Sequence, residues 1–243
     1  MLFRNLIGSG GYKVPSPSTI TSITSSSYAV GSNDTITLPS NINAGDLLIA
    51  TASAGSSTSG SSSYPPYPTV VLSYLDGFTG IDFDQQFYRY TTSSYISAVQ
   101  ARTIQYKIAD QNDANSTISG FIYRSSLVWQ GVVLFVIRGD QPFNGVDSYS
   151  FSSYGTTGDP PQYSINSNLT TNITIPIFCA TGRDLLPTVS TSPPPDKIET
   201  ASPQYHGLNY SGIWASYNNS TYAFNANDTG GFNAGTYGTL NVI

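Results

Sequence analysis

Charge is what this chain has least of. Only 9% of its 243 residues are Asp, Glu, Lys or Arg, against about 25% in an ordinary soluble domain. Ser, Thr, Asn, Gly and Tyr must therefore coat the surface, and such a neutral coat suits packing against neighbours or contact with sugars. Nine Lys and Arg are scattered singly within a net charge of −5. No basic stripe exists to neutralise phosphates, so nucleic acid is not an expected partner.

The reactive residues are equally scarce. A single cysteine, Cys179, excludes an intramolecular disulfide framework and a cysteine-based metal site. Following Ile177 and Phe178, it reads as a small buried hydrophobe. The single histidine, His206, lies in a Pro/Gly-flanked stretch with neither a G-x-S-x-G elbow nor a Cys–His motif around it, so a hydrolytic triad has no base. There is one glutamate, Glu199, and the thirteen aspartates stand mostly beside Gly, Asn or Pro, which is the distribution of turn formers rather than of paired glycosidase carboxylates. Asp82 and Asp84 in "GIDFDQQ" share one face of an extended segment. With carbonyls from "DGFTG" they could hold Ca²⁺, and a depolymerase would have to use them, but no EF-hand or RTX spacing is present and a polar edge is the simpler reading. No cofactor is expected.

Long apolar runs are missing too. Nothing approaches the ~20 residues that span a bilayer, and "MLFRNLIGSGGYK" is too short an apolar stretch for a secretory signal. A soluble chain without membrane insertion or export signal is expected. Eight N-x-S/T triplets occur, a number that the abundance of Asn, Ser and Thr produces by chance.

Helical periodicity is almost absent, whereas strand signals recur. Strands are expected near 19–24, 34–39, 46–54, 69–75, 85–91, 99–109, 117–124, 128–138, 146–152, 162–166, 171–178, 185–190, 210–217 and 236–242. Many short strands without helices between them predict an all-β fold, an antiparallel β-sandwich of jelly-roll type. A chain this long would bury roughly 70–75% of its unfolded surface. "LVWQGVVLFVIRG", with Trp129 near its start, reads as a central strand buried on both faces. "RTIQYKIAD" alternates and reads as a strand with one wet side carrying Thr103, Gln105 and Lys107. "SAGSSTSGSSSYPPYP", residues 53–68, and "STSPPPDKIETASPQYHG" read as loops too polar to bury.

Residues 1–17 read as an N-terminal arm, with Leu2, Phe3, Leu6 and Ile7 ahead of a Gly/Pro connector. Four exposed apolar side chains would cost solubility, so the arm is expected to dock on a neighbouring protein. Residues 18–243 form the sandwich.

One phrase is said twice. "TITLPSNINAGDLL" (35–48) returns as "NITIPIFCATGRDLL" (172–186), with six steps from Pro39 to Gly45 and from Pro176 to Gly182. The expected reading is a strand ended by proline, a six-residue loop, a permissive glycine, and an Asp that bonds backbone amides before Leu-Leu starts the next strand. That makes Asp46 and Asp184 turn residues in two equivalent corners or the two halves of an old duplication. Tyrosine is abundant, at 18 copies. The cluster "SSSYPPYP" and the tyrosines near Trp214 offer rings for sugar faces or interfaces, so Tyr64, Tyr67 and Trp214 are the candidate glycan contacts, with cross-strand packing as the alternative.

The pieces "TITLP", "AGDLLIATASA", "DGFTG", "IQYKIAD" and "VVLFVIRGDQPFNGVD", with "NITIP" as echo, resemble a class of tailed-bacteriophage structural proteins over about residues 34–190. That class has Trp in the G-[WF]-T turn where this chain has Phe78. The resemblance implies a non-enzymatic β-sandwich building block of a virion, as a tail or fibre component or a capsid-surface (decoration) protein. It implies other virion proteins as partners, a homo-oligomer of three or more copies, and the virion as location. A glycan-binding, receptor-recognising module at a fibre tip is the alternative.

Overall fold

The computed structural model describes residues 17, 19–30, 35–68, 70–71, 74–91, 93–119, 123–124, 129–156, 163–166, 173–182, 188–202, 208–214, 221–227 and 233–243. Within them the chain is all-β, with no helix: β1 (Ile20–Val30), β2 (Ile36–Thr37), β3 (Leu47–Gly60), β4 (Val70–Val71), β5 (Thr79–Thr91), β6 (Tyr95–Ile108), β7 (Thr117–Ile118), β8 (Tyr123–Arg124), β9 (Trp129–Gly139), β10 (Val146–Thr156), β11 (Tyr163–Asn166), β12 (Ile173–Gly182), β13 (Thr188–Ser192), β14 (Lys197–Ala201), β15 (Leu208–Ile213), β16 (Thr221–Asn227) and β17 (Asn233–Val242). The arm residues Leu2, Phe3, Leu6 and Ile7 lie outside the described residues, as do His206 and Asp184.

All pairing is antiparallel. The first sheet runs β1-β9-β3-β6-β5, the second β10-β17-β12-β15-β14, and a small third sheet β11-β16-β13, with two-stranded ribbons β2–β7 and β4–β8. The two large sheets stack in register. β1 lies over β14, β9 and β3 over β15, β6 over β17, and β5 over β10, the aligned arrangement of a sandwich.

Alternation of side chains explains the layers. On β9, Val133, Phe135 and Ile137 meet Ile175, Ile177 and Leu240 of the second sheet. Their neighbours Val132, Leu134 and Val136 face the other way, into a core closed by Leu38, Ile42, Leu75 and Phe78. The second sheet is also covered twice, since Phe178 and Ala180 of β12 pack with Tyr222 and Phe224 under the third sheet. Strands buried on both faces read as unbroken apolar runs; "VVLFVI" is such a run.

Five expectations are corrected by this layering. The jelly-roll connectivity is not what the strand orders display, because each large sheet draws its strands from one half of the chain, 20–139 or 146–242. Residues 53–60 are not a loop. They extend β3, the middle strand of the first sheet, where Ser53 and Ser56 are buried; ladder bonds satisfy the backbone, and small side chains fit between close-packed layers. The expected wet side of β6 is covered at two of its three positions, and Lys107 stays partly exposed. Thr103 and Gln105 are buried beneath the segment around Leu75, whose N–H donates to Gln105 Oε1 at 2.6 Å. Part of the Pro-rich stretch after Ser192 forms β14, and β16 had no counterpart among the expected strands.

The fifth correction concerns the repeated phrase. At the first copy β2 stops before Pro39, Gly45 turns with φ +87°, and the Asp46 carboxylate accepts from the Asn43 N–H at 2.8 Å. At the second copy Pro176 lies inside β12, opposite Thr239, and the six residues that follow it are strand. Its missing N–H falls where pairing with β15 begins, at Ile177 and Ile213, and its carbonyl accepts from the Trp214 N–H at 3.0 Å. The two copies are not equivalent corners.

Candidate functional site

The sequence candidates divide between the surface and the interior. Tyr64 and Tyr67 are on the surface, 38% and 39% exposed. Between them stand Pro65 and Pro66, which fix the backbone at φ near −65° and remove two donors. On an extended proline-type backbone, residues three apart share a side. The segment is pinned to the sheet through its free carbonyls: Ser97 Oγ donates to Pro65 O at 2.5 Å and Thr58 Oγ1 to Pro66 O at 2.9 Å. The Tyr64 hydroxyl pairs with Thr91 Oγ1 at 2.8 Å.

β5 and the start of β6 supply the rest of this shelf. Phe87 meets the Tyr67 ring edge-on at 5.1 Å, and Tyr95 meets Tyr64 at 5.0 Å. The guanidinium of Arg89 lies 5.5 Å from the Tyr64 centroid and 4.7 Å from that of Tyr67, within cation–π range of both. Arg89 and Phe87 are exposed. Neither was singled out in the sequence; the signal was the cluster "FYRYTTSSY", in which the arginine sits two positions after a phenylalanine on the same strand face.

Trp214 does not belong to this shelf. It is fully buried, 5.5 Å from Phe178 and 5.3 Å from Tyr222 by ring centroids, and its Nε1 donates to Pro193 O at 2.8 Å. The expected glycan contact there is corrected: β15 ends beneath a third layer, and the indole fills the core between them.

Asp82 and Asp84 face inward. Asp84 stands opposite Arg102 in the β5–β6 register and forms an ion pair with it. Arg102 is fully buried, and burial pulls its guanidinium down to about 10, against the opposing charges that include Asp82. Burial pushes the Asp82 carboxyl up, opposed by Thr236 and by Arg102. Around them the space between the sheets turns polar. Thr181 Oγ1 donates to Gln100 Oε1 at 3.0 Å, Thr51 and Ser211 share a 2.8 Å bond, and Asn209 Nδ2 donates to Thr51 O at 3.1 Å. Cys179 lies in this layer with its thiol pushed up to about 11 by burial, which leaves it protonated and unreactive at neutral pH. Among the described residues no three His, Cys, Asp or Glu group as metal ligands, and the cation that answers Asp82 and Asp84 is Arg102. Glu199 accepts from Ser25 Oγ at 2.7 Å, tying β14 to β1.

A hollow of about 150 Å³ lies beside Gly45, Asp46, Arg138 and Pro142. Its arginine is already paired. Arg138 donates Nε to Asp46 Oδ1 at 2.8 Å and Nη2 to Oδ2 at 2.7 Å, so this corner holds strands together rather than awaiting a ligand.

No family model matches the chain, and neither a curated protein nor a solved structure matches it.

Proposed function

We propose that the chain is a non-enzymatic structural protein of a tailed-phage virion, packed in multiple copies as a symmetric oligomer of three or more in the tail or fibre apparatus or on the capsid surface. The observation that carries this reading is the side of the sandwich where β5 and β10 lie next to each other. Both are edge strands, 13 and 11 residues long, and each presents a half-exposed aromatic, Phe83 and Tyr149. Long edge strands that carry exposed aromatic side chains invite pairing with another chain, and a subunit made for packing puts that tendency to use. The phage-like motifs support it as a physical unit, since "AGDLL" and the Arg138 strand meet in the Asp46–Arg138 pair. On this reading Leu2, Phe3, Leu6 and Ile7 dock on a neighbour, contributing on the order of 6–10 kcal/mol before ordering costs. Deleting residues 2–11 leaves a folded β domain that no longer enters particles; normal incorporation, measured as copies per particle by quantitative mass spectrometry, contradicts the arm.

A second reading, a glycan-binding module at a fibre tip, is favoured by the shelf of Tyr64, Tyr67, Phe87 and Arg89. Its rings are exposed and its backbone is fixed before any ligand arrives, which lowers the ordering cost of binding.

A further inference from the structure

The described cations have different company. Arg102, Lys107 and Arg138 each pair with a carboxylate. Arg89 instead lies against two tyrosine rings, exposed, with no carboxylate in ion-pair range among the described residues. Ring faces orient a guanidinium without using up its five N–H donors. Resting on the glycan reading above, we infer that Arg89 is a carboxylate subsite and that the shelf takes an acidic sugar, a uronic or sialic acid unit, within an otherwise neutral glycan.

The parts divide the ligand between them. The planar fork of Arg89 matches a carboxylate with two parallel hydrogen bonds. Tyr67 and Phe87 beside it offer apolar surface to the sugar's C–H face. Arg89 is the one cation of the shelf among the described residues, and the chain as a whole carries −5, a field that opposes a polyanion with a charge on every residue. A single carboxylate per bound unit fits that balance. The tyrosines stand on a backbone fixed by Pro65 and Pro66 and pinned by Ser97 and Thr58, so the subsite is set before binding.

The test uses the full chain and two matched probe pairs: a glucuronic-acid-containing oligosaccharide and sialyl-lactose, each beside its carboxyl-reduced counterpart. Titration calorimetry should show at least one acidic probe binding about tenfold or more tighter than its reduced counterpart, since a hydrogen bond to a charged group is worth that much. Which pair shows the preference separates the uronic from the sialic source. Arg89→Gln should abolish the preference, so that the acidic probe and its reduced counterpart bind the variant alike. Arg89→Lys, which keeps charge without the fork, should fall between, and Tyr67→Ala should weaken both members. Equal binding of acidic and reduced probes, or a preference that survives Arg89→Gln, overturns the carboxylate subsite while the glycan reading stands. If none of the four probes binds, the subsite and the glycan reading fall together; an oligomeric state altered by Arg89→Gln would then mark the shelf as a protein contact.

Discussion

Cys179 and Arg102 sit in the same buried layer and respond to pH in opposite directions. An unfolded chain releases the thiol proton near the ordinary value of 9.0, whereas the folded chain holds it to about 11. The stability that depends on this proton is complete below pH 9 and falls as pH rises through that window, by about 2 kcal/mol at pH 10.5. Arg102, pulled down to about 10 in the folded state, gives up its proton first when folded, so its contribution rises with pH above that point. Comparing the native chain with Cys179→Ala isolates the thiol: between pH 8 and 10.5 the native chain should lose about 2 kcal/mol more in urea unfolding than the variant does. An identical loss in both would show that the thiol is not held protonated by burial. That Cys179 is buried was legible from its apolar neighbours. What faces Asp84 was not, because Arg102 lies on the next strand and only the β5–β6 register sets the two opposite each other.

At the scale of elements, the first Pro-loop-Asp-Leu-Leu corner is a joint of three strands. Asp46 caps its own turn at Asn43, pairs with Arg138 at the end of β9, and its carbonyl accepts from the Ala109 N–H beyond β6 at 2.8 Å. Gly45 keeps φ +87°, and a Cβ there would come within 2.5 Å of Pro142. Asp46→Ala should cost about 2–3 kcal/mol, since it strands Arg138 and opens the turn. Arg138→Ala should cost a similar amount, and the double variant less than the sum; additive losses in denaturant unfolding would mean that the two side chains do not act together. The role of Asp46 was legible in the phrase itself. The different fate of the second copy was not, because a proline ends a ladder only on the side its N–H would face, and β17 holds the other side of β12. The Ser/Gly half of β3 failed for a related reason: polarity predicts exposure for a strand with one covered face, and this strand is covered on two.

The whole molecule is a stack of layers in which each half of the chain builds one large sheet. The all-β class followed from strand spacing and missing helices, but the number of layers did not, since alternation tells which residues share a face and not how many faces are covered. That one omission moved Trp214 from the expected surface to the core. On one side of the stack the edge strands β5 and β10 lie together, and the proposed packing of copies rests on that side. Sedimentation velocity of the full chain across about 1–100 μM tests this most directly, beside a variant carrying Phe83→Lys and Tyr149→Lys, two changes at exposed positions that leave the cores intact. The account predicts a concentration-dependent oligomer of three or more copies for the native chain and a folded monomer for the variant. A native chain that stays monomeric throughout, or a variant that assembles as the native chain does, would contradict it.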